Sequence, residues 1–166
     1  MAKKNEGKKF EEDFKNSIPQ DFYVERYKDD TARFSGVSNP ADYRLYKYPL
    51  TFLIELKSHK AKSLPLVKIR PNQIKGLYKA SHYRGIYAGF IINFRDLEET
   101  YYISVDEVFS KYYEFDDKGD PVIKTSAGRK SIPVEWCREY GVRIEQTKKR
   151  VRYSYNLSKW LEGYYG

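Results

Sequence analysis

Three polar residues near the middle of the chain have the types and spacing that could hold a metal ion beside a phosphate. Asp42 follows a turn-forming Asn-Pro pair, and thirteen residues later an apolar run ends in Glu55, Leu56 and Lys57. Because side chains alternate between the two faces of a strand, Glu55 and Lys57 would project from one face. Burying both on an apolar strand is costly unless they contact each other or a ligand. This cost indicates a functional site.

Metal-assisted phosphodiester hydrolysis is the chemistry that these three residues would serve. Hard divalent cations such as Mg²⁺, with Mn²⁺ as a substitute, prefer oxygen ligands, so Asp42, Glu55 and a backbone carbonyl could hold one ion. Lys57 could orient a hydroxide or offset charge on the phosphate, while the metal supplies most of the electrostatic stabilisation. The pattern resembles the loose signature of the PD-(D/E)xK nucleases. The alternative interpretation is a solvated edge strand with an ordinary ion pair between Glu55 and Lys57.

The composition predicts one folded domain over residues 1–166, preceded by a flexible basic arm over residues 1–6. The hydrophobic fraction is 40%, and no apolar segment approaches the roughly twenty residues of a membrane helix. The N-terminus lacks the apolar core of a signal peptide, so we expect a cytoplasmic protein of bacterial or phage origin. One cysteine and two isolated histidines exclude a structural zinc site.

The charge of the chain indicates a polyanionic partner. The net charge is +8, from 31 Lys and Arg against 23 Asp and Glu. Nucleic acid fits better than membrane, because the chain shows no basic amphipathic helix with an apolar insertion face. The basic residues that follow the candidate site, or that cluster near the C-terminus, are expected to contact DNA, the alternative being solvated surface: Lys60, Lys62, Lys68, Arg70, Lys148, Lys149 and Arg150.

The periodicity of apolar residues predicts an α/β fold with helices on both sides of a sheet. Phe10, Phe14 and Ile18 recur every fourth position and predict a helix from Gly7 that Pro19 ends. Residues 113–130 should form a loop or an irregular hairpin. Strands are expected over 21–27, 42–47, 50–57, 86–94 and 100–103, and further helices over 71–82, 104–112, 133–140 and after Asn156.

The motifs, taken in order, resemble those of the RecU-type Holliday junction resolvases and, more distantly, the archaeal Hjc resolvases. In RecU proteins a glycine precedes a helical glutamate by four residues, and an S/T-x-D-[YF]-like motif leads after thirteen residues to E-A-K-[ST]. Later come a Pro-Leu pair, a helical H-Q motif and a Gly-Arg-Lys-Ser-Ile run. The matching segments here are Gly7 with Glu11, Ala41-Asp42-Tyr43, Glu55-Leu56-Lys57-Ser58, Pro65-Leu66, Asn72-Gln73 and Gly128 to Ile132.

The resemblance implies a restriction-endonuclease-like core with a mixed central β-sheet, and a role for each matched residue. Asp42 and Glu55 would be metal ligands, and Lys57 would position or activate the attacking water. Glu11 would be the helical acid that supports the metal site, although a solvated acidic helix start is the alternative. Gln73 would orient the site or a phosphate. Ser58 would contact the scissile strand or a residue that supports the site.

Two departures from the RecU pattern bear on how a junction would be bound. The family's histidine before the glutamine is Asn72 here, and the long stalk of the bacterial proteins is reduced to residues 28–40. We expect Arg33 and Phe34, in the middle of this short segment, to lie against the opened crossover of a four-way junction.

Three functions remain open at this point. The first is a homodimer that cuts two strands of a four-way DNA junction with Mg²⁺, because twofold symmetry calls for an isologous dimer. The second is a restriction-like endonuclease acting on duplex DNA. The third, a non-catalytic DNA-binding module, is disfavoured because acids beside a phosphate oppose simple binding.

Overall fold

The structure is a computed structural model and describes residues 5–27 and 41–166. The five α-helices found there are α1 (Glu6–Asn16), α2 (Pro71–Ser81), α3 (Val105–Tyr112), α4 (Val134–Tyr140) and α5 (Leu157–Glu162). The twelve strands found there are β1 (Tyr23–Arg26), β2 (Tyr43–Lys47), β3 (Leu50–His59), β4 (Ser63–Pro65), β5 (Ile86–Phe94), β6 (Glu99–Ser104), β7 (Tyr113–Phe115), β8 (Pro121–Ile123), β9 (Ser131–Pro133), β10 (Val142–Ile144), β11 (Gln146–Lys149) and β12 (Arg152–Tyr155).

A six-stranded mixed sheet forms the centre of the molecule, in the order β1-β2-β3-β5-β6-β10. Only β3 and β5 pair in parallel, with Glu55 opposite Phe90 and Lys57 opposite Ile92. Parallel neighbours need a crossover, and α2 supplies it. The other pairs in this sheet are antiparallel. The predicted α/β fold, a mixed sheet flanked by helices, is confirmed.

Side chains along β5 alternate between the two faces of the sheet, and each face packs against its own half of the core. Phe90 and Ile92 lie in the half formed with α2, α3 and α4, whereas Ile91 lies in the half formed with α1 and α5. In α1, Phe10 and Phe14 are both buried in this second half, as their helical spacing predicts. Burying each ring contributes about 1.5–3 kcal/mol. These contacts fix α1 across the end of β3, where the candidate site lies.

Asn5 and Glu6, which were predicted to belong to a flexible arm, form the start of helix α1. Helix α1 begins at Glu6, because the Asn5 side chain accepts hydrogen bonds from the backbone N–H groups of Gly7 and Lys8 and so caps the helix. Ser104 caps α3 and Asn156 caps α5, since each side chain accepts a hydrogen bond from the backbone N–H three residues further on. Residues 113–123 form the hairpin β7–β8. Within the described residues, no helix is long and apolar enough to cross a membrane.

The strongly basic segment 143–155 forms strands that the sequence pattern does not indicate. It contains β10, at the edge of the main sheet, and the separate hairpin β11–β12. Most residues of these strands are exposed, so they lack the apolar run that marks a strand in a sequence. Tyr155, at the end of β12, is buried against Phe10 of α1 and holds the hairpin on the second half of the core.

Candidate active site

Asp42 lies at the start of β2, where the chain joins the sheet beside β3. Its backbone N–H donates to the carbonyl of Ile54, 3.0 Å away, and its Oδ2 accepts a 2.8 Å hydrogen bond from the backbone N–H of Leu56. The carboxylate is therefore tied directly to the strand that carries Glu55. The thirteen-residue separation in the sequence closes because β2 and β3 form an antiparallel hairpin.

Glu55 is the buried acid of the site, with 5% of the residue exposed. Its Oε1 accepts a hydrogen bond from Gln73 Nε2 at 2.8 Å and lies 3.4 Å from Lys57 Nζ. Burial, together with the charge of Asp42, raises the pKa of Glu55 to about 8, and Lys57 opposes this shift. Two acids whose charges disfavour each other in a buried site are suited to a cation held between them.

Gln73 connects helix α2 to the two site residues on strand β3. It lies in the first turn of α2 and is 2% exposed. While its Nε2 donates to Glu55, its Oε1 accepts from Lys57 Nζ at 3.2 Å and from the backbone N–H of Arg70 at 3.0 Å. The amide thus fixes both Glu55 and Lys57. Of the two roles predicted for Gln73, these contacts favour orienting the site over contacting a phosphate.

The donor set fits a hard divalent cation. Asp42 and Glu55 line one cavity of about 650 Å³, here called the metal-site cavity, and both offer carboxylate oxygens, the ligands that Mg²⁺ and Mn²⁺ prefer. Among residues 5–27 and 41–166, no group of three or more His, Cys, Asp or Glu could hold an ion together. The cation would therefore rest on these two acids, backbone carbonyl groups and water.

Glu11 reaches the metal-site cavity from α1 but is held by other partners. Arg26 Nε donates to its Oε1, and Tyr43 Oη donates to the same oxygen at 3.4 Å. Burial and the neighbouring Glu11 raise the pKa of Tyr43 to about 12, which keeps this hydroxyl protonated as a donor. Glu11 therefore lies at the edge of the site, oriented by an arginine and a tyrosine.

Arg26 and Tyr43 were not among the predicted site residues. They are paired with each other across β1 and β2, so this contact depends on strand register. Glu11, Arg26 and Tyr43 are far apart in the sequence. No motif of the sequence connects Arg26 to the other two, although Tyr43 directly follows Asp42.

The residues predicted to contact DNA fall into three groups. Ser58 and Arg70 line the metal-site cavity. Lys60, Lys148 and Arg150 line a neighbouring cavity, so the fold brings together residues that are almost ninety positions apart. Lys62, Lys68 and Lys149 are exposed but line neither cavity. Arg33 and Phe34 lie outside the described residues.

Comparison with solved structures finds a partial likeness to an archaeal protein. This is the 1.6 Å resolution structure of Archaeoglobus fulgidus Hjc, a Holliday junction resolvase from an archaeal hyperthermophile. The two proteins are 17% identical, the match covers 77% of this chain and 96% of that chain, and the TM-score is 0.44.

Comparison of sequences gives a stronger relationship. The SPbeta prophage-derived uncharacterized protein YotM of Bacillus subtilis (strain 168) is 34% identical over 169 residues, covering 96% of this chain and 86% of that protein. Residues 15–159 match the family model of RecU, Recombination protein U. The chain therefore belongs to the RecU family, as its motifs predicted.

Proposed function

We propose that this chain is a Holliday junction resolvase, an endonuclease that cuts two strands of a four-way DNA junction by divalent-metal-dependent hydrolysis. Membership of the RecU family supports the class of reaction. The observation that carries the proposal is the contact between Asp42, the residue directly before β2, and the strand of Glu55 and Lys57. This arrangement combines cation ligands with a nearby positive charge.

Each residue of the site has a defined task in this reaction. Asp42 and Glu55 hold the cation, and Gln73 keeps Glu55 and Lys57 in place. When bound, Mg²⁺ neutralises charge on the phosphate and makes a water more acidic. Lys57 donates from Nζ to the attacking water or to a phosphate oxygen as negative charge develops. The water loses a proton to solvent, its oxygen bonds to phosphorus, and the bond from phosphorus to the 3′ oxygen breaks. The departing 3′ oxygen takes a proton from solvent, which leaves 5′-phosphate and 3′-hydroxyl ends.

The substrate sets the expected assembly and the place of action. A four-way junction presents two equivalent strands about a twofold axis, so two copies of the chain in an isologous dimer would place one site on each strand. Mg²⁺ is the expected physiological ion, with Mn²⁺ as a substitute. DNA recombination intermediates of bacteria and their phages form in the cytoplasm, and we expect the protein to act there.

A nicking assay tests the function. The protein is incubated with Mg²⁺ and end-labelled four-way junction, duplex of equal length or single strand, with Asp42→Asn as the inactive control. We expect symmetric nicks in the junction, little cutting of the other substrates, and none by the variant. Equal cutting of duplex and junction would contradict the resolvase function and favour a restriction-like nuclease. Binding of the junction without cutting, with Mg²⁺ and also when Mn²⁺ replaces it, would indicate a non-catalytic module.

A further inference from the structure

A second cavity, of about 630 Å³, lies beside the metal-site cavity on the side of α1 and the hairpin β11–β12. We call it the hairpin cavity. Residues from α1, from the ends of β3 and β5 and from the hairpin line it, and five of them are basic. These five are Lys9, Lys60, Arg95, Lys148 and Arg150.

The five basic residues of the hairpin cavity form no ion pair with an acid in the part of the chain that the structure describes. None of them takes part in the ion pairs formed among residues 5–27 and 41–166, whereas Lys75, Arg152 and Lys159 each lie within 2.9 Å of a carboxylate oxygen. Three acids also line the cavity, Glu6, Asp13 and Asp96. Among the described lining residues, basic side chains therefore outnumber acidic ones by five to three, and this excess of positive charge suits a polyanion.

Arg95 joins the hairpin cavity to the metal-site cavity. Its Nη1 donates a 3.1 Å hydrogen bond to Ser58 Oγ. Ser58 lines the metal-site cavity and directly follows Lys57. A phosphate chain that leaves the candidate cutting site past Ser58 would therefore meet the Arg95 guanidinium first.

A chain of buried hydrogen bonds fixes the hairpin relative to the active-site strand. Ser58 Oγ donates to Asn93 Oδ1 at 3.1 Å, Asn93 Nδ2 donates to Thr100 Oγ1 at 2.9 Å, and Thr100 Oγ1 donates to Gln146 Oε1 at 2.6 Å. Asn93 and Thr100 are buried. Polar groups placed inside a sheet are tolerated when each is satisfied, and such networks rigidify their surroundings. These hydrogen bonds thereby hold the start of the hairpin, at Gln146, in a fixed position relative to Ser58 of β3.

The tip of the hairpin carries its charge at a conformational cost. Arg150 has a φ of 42°, in the left-handed region where Gly and Asn are more easily accommodated. Lys148 lies 6.0 Å from the ring centroid of Tyr153 on the facing strand. The hairpin therefore presents two cations over the cavity, one of them at a strained position.

We propose that the hairpin cavity binds the phosphodiester backbone of the DNA strand that continues from the scissile phosphate. Arg95 binds the phosphate next to Ser58, and Lys148 and Arg150 bind those further along. The inference rests on the proposed function for the identity of the strand, and it adds a binding site and two contact residues, Lys9 and Arg95, that the motifs did not indicate. It predicts that DNA is held over a longer path than the metal site alone provides.

The first test measures junction binding without cleavage. In the Asp42→Asn background with chelator, Arg95→Gln with Arg150→Asn is compared with Lys111→Gln with Lys118→Gln, two exposed residues outside both cavities. The cavity pair should weaken binding at least tenfold and make the log–log salt slope shallower by about 1.8, or roughly 0.9 for each lost contact. If the two pairs of substitutions weakened binding equally, the loss of net charge alone would explain the result, and the inference would be overturned.

Because Arg95→Gln removes a hydrogen bond to Ser58, a second variant guards against misfolding. Lys148→Gln with Arg150→Asn removes two charges and relieves the strained position, so the protein should fold at least as well. It should weaken binding in the same direction. Unchanged binding and salt slope in this variant would contradict the proposal.

The second test locates the phosphates. Single neutral methylphosphonates are placed along the strand around the cut, and binding is measured in the Asp42→Asn background. We expect neutral substitutions on one side of the scissile phosphate to weaken binding by the protein with an intact cavity, and to have little effect once Arg95 and Arg150 are replaced. The same set of sensitive positions in both proteins would show that the cavity holds no phosphate. Since no cleavage is measured, this result is independent of whether the wild type nicks junctions.

Discussion

The cost of the site is visible at a single residue, Glu55. Its pKa rises from 4.5 to about 8 because of burial and then the charge of Asp42. Between these two values the folded state binds a proton more tightly than the unfolded state, so the stability contributed by this group is full below pH 4.5 and is lost as the pH rises toward 8. A bound cation would favour the ionised form and reverse this loss.

Glu55→Gln should therefore stabilise the metal-free protein at high pH. Gln can keep a hydrogen bond to Gln73 without a charge. The gain at pH 8 should be about 4 kcal/mol, because the pKa of the replaced carboxyl is 4.5 in the unfolded chain and about 8 in the folded protein. Denaturant unfolding in chelator at pH 5 and pH 8 checks this, with both proteins measured in parallel so that other titrating groups cancel. A wild type that lost no more stability than the variant between the two pH values would contradict the assignment.

Lys57→Ala should reduce cleavage while leaving metal binding largely intact. Lys57 contacts Glu55 but carries the charge expected to act on the water or the phosphate, so the loss at saturating Mg²⁺ should be about 10²-fold or more. Single-turnover cleavage across a range of Mg²⁺ concentrations separates the two effects. A variant that recovers the wild-type rate at high Mg²⁺ would show that Lys57 only supports the metal ligands.

A site residue could be predicted from the sequence where its contacts follow from local spacing or a motif, and not where they depend on the fold. Asp42, Glu55 and Lys57 follow from spacing within one hairpin, and Gln73 from a motif, and the structure brings these four together. Tyr43 adjoins Asp42 but contacts Glu11 only through the fold. Arg26 and Arg95 have no such local signal, because their contacts depend on the register of β1 and on the end of β5.

At the scale of elements, packing at the centre of the sheet depends on the close approach of β5 and β6 at Gly89. A Cβ on Gly89 would lie 2.4 Å from the carbonyl oxygen of Ile103, a backbone atom that cannot move aside easily. Gly89→Ala should destabilise the protein by about 2–3 kcal/mol through overpacking.

Gly163→Ala is the matched control, since the nearest atom to its added Cβ is Trp160 O at 3.4 Å. It should change the free energy of unfolding by less than about 0.5 kcal/mol. Chemical denaturation of both variants is the measurement. Equal stability of Gly89→Ala and the wild type would mean that the two strands are further apart than described.

The elements with strong apolar periodicity were predictable and the polar ones were not. α1, α2, β3 and β5 each bury a continuous apolar face, so their patterns predict them. The hairpin β11–β12 is mostly exposed and basic, and its position depends on Thr100 and Tyr155 rather than on its own composition. The pair β4–β9 joins residues nearly seventy positions apart, a contact that no local pattern indicates.

At the scale of the whole molecule, the contact between Ser58 and Arg95 joins the two cavities, so the proposed cutting site lies beside the basic hairpin cavity. Ser58 lines the metal-site cavity and hydrogen-bonds Arg95, which lines the hairpin cavity. One copy of the chain could hold and cut one strand. Resolution of a junction requires two cuts, and this is why the proposed activity predicts a dimer whose sites act on one substrate together.

Paired cutting of a supercoiled plasmid that extrudes a cruciform tests this central claim most directly. Two cuts within the lifetime of one complex convert the plasmid to the linear form, whereas independent cuts release supercoiling and give nicked circles. We expect the wild type with Mg²⁺ to give linear DNA from the first time points, a plasmid without the inverted repeat to stay supercoiled, and a mixture with Asp42→Asn to shift the product toward nicked circles. Nicked circles alone from the wild type, or equal cutting of both plasmids, would contradict the account.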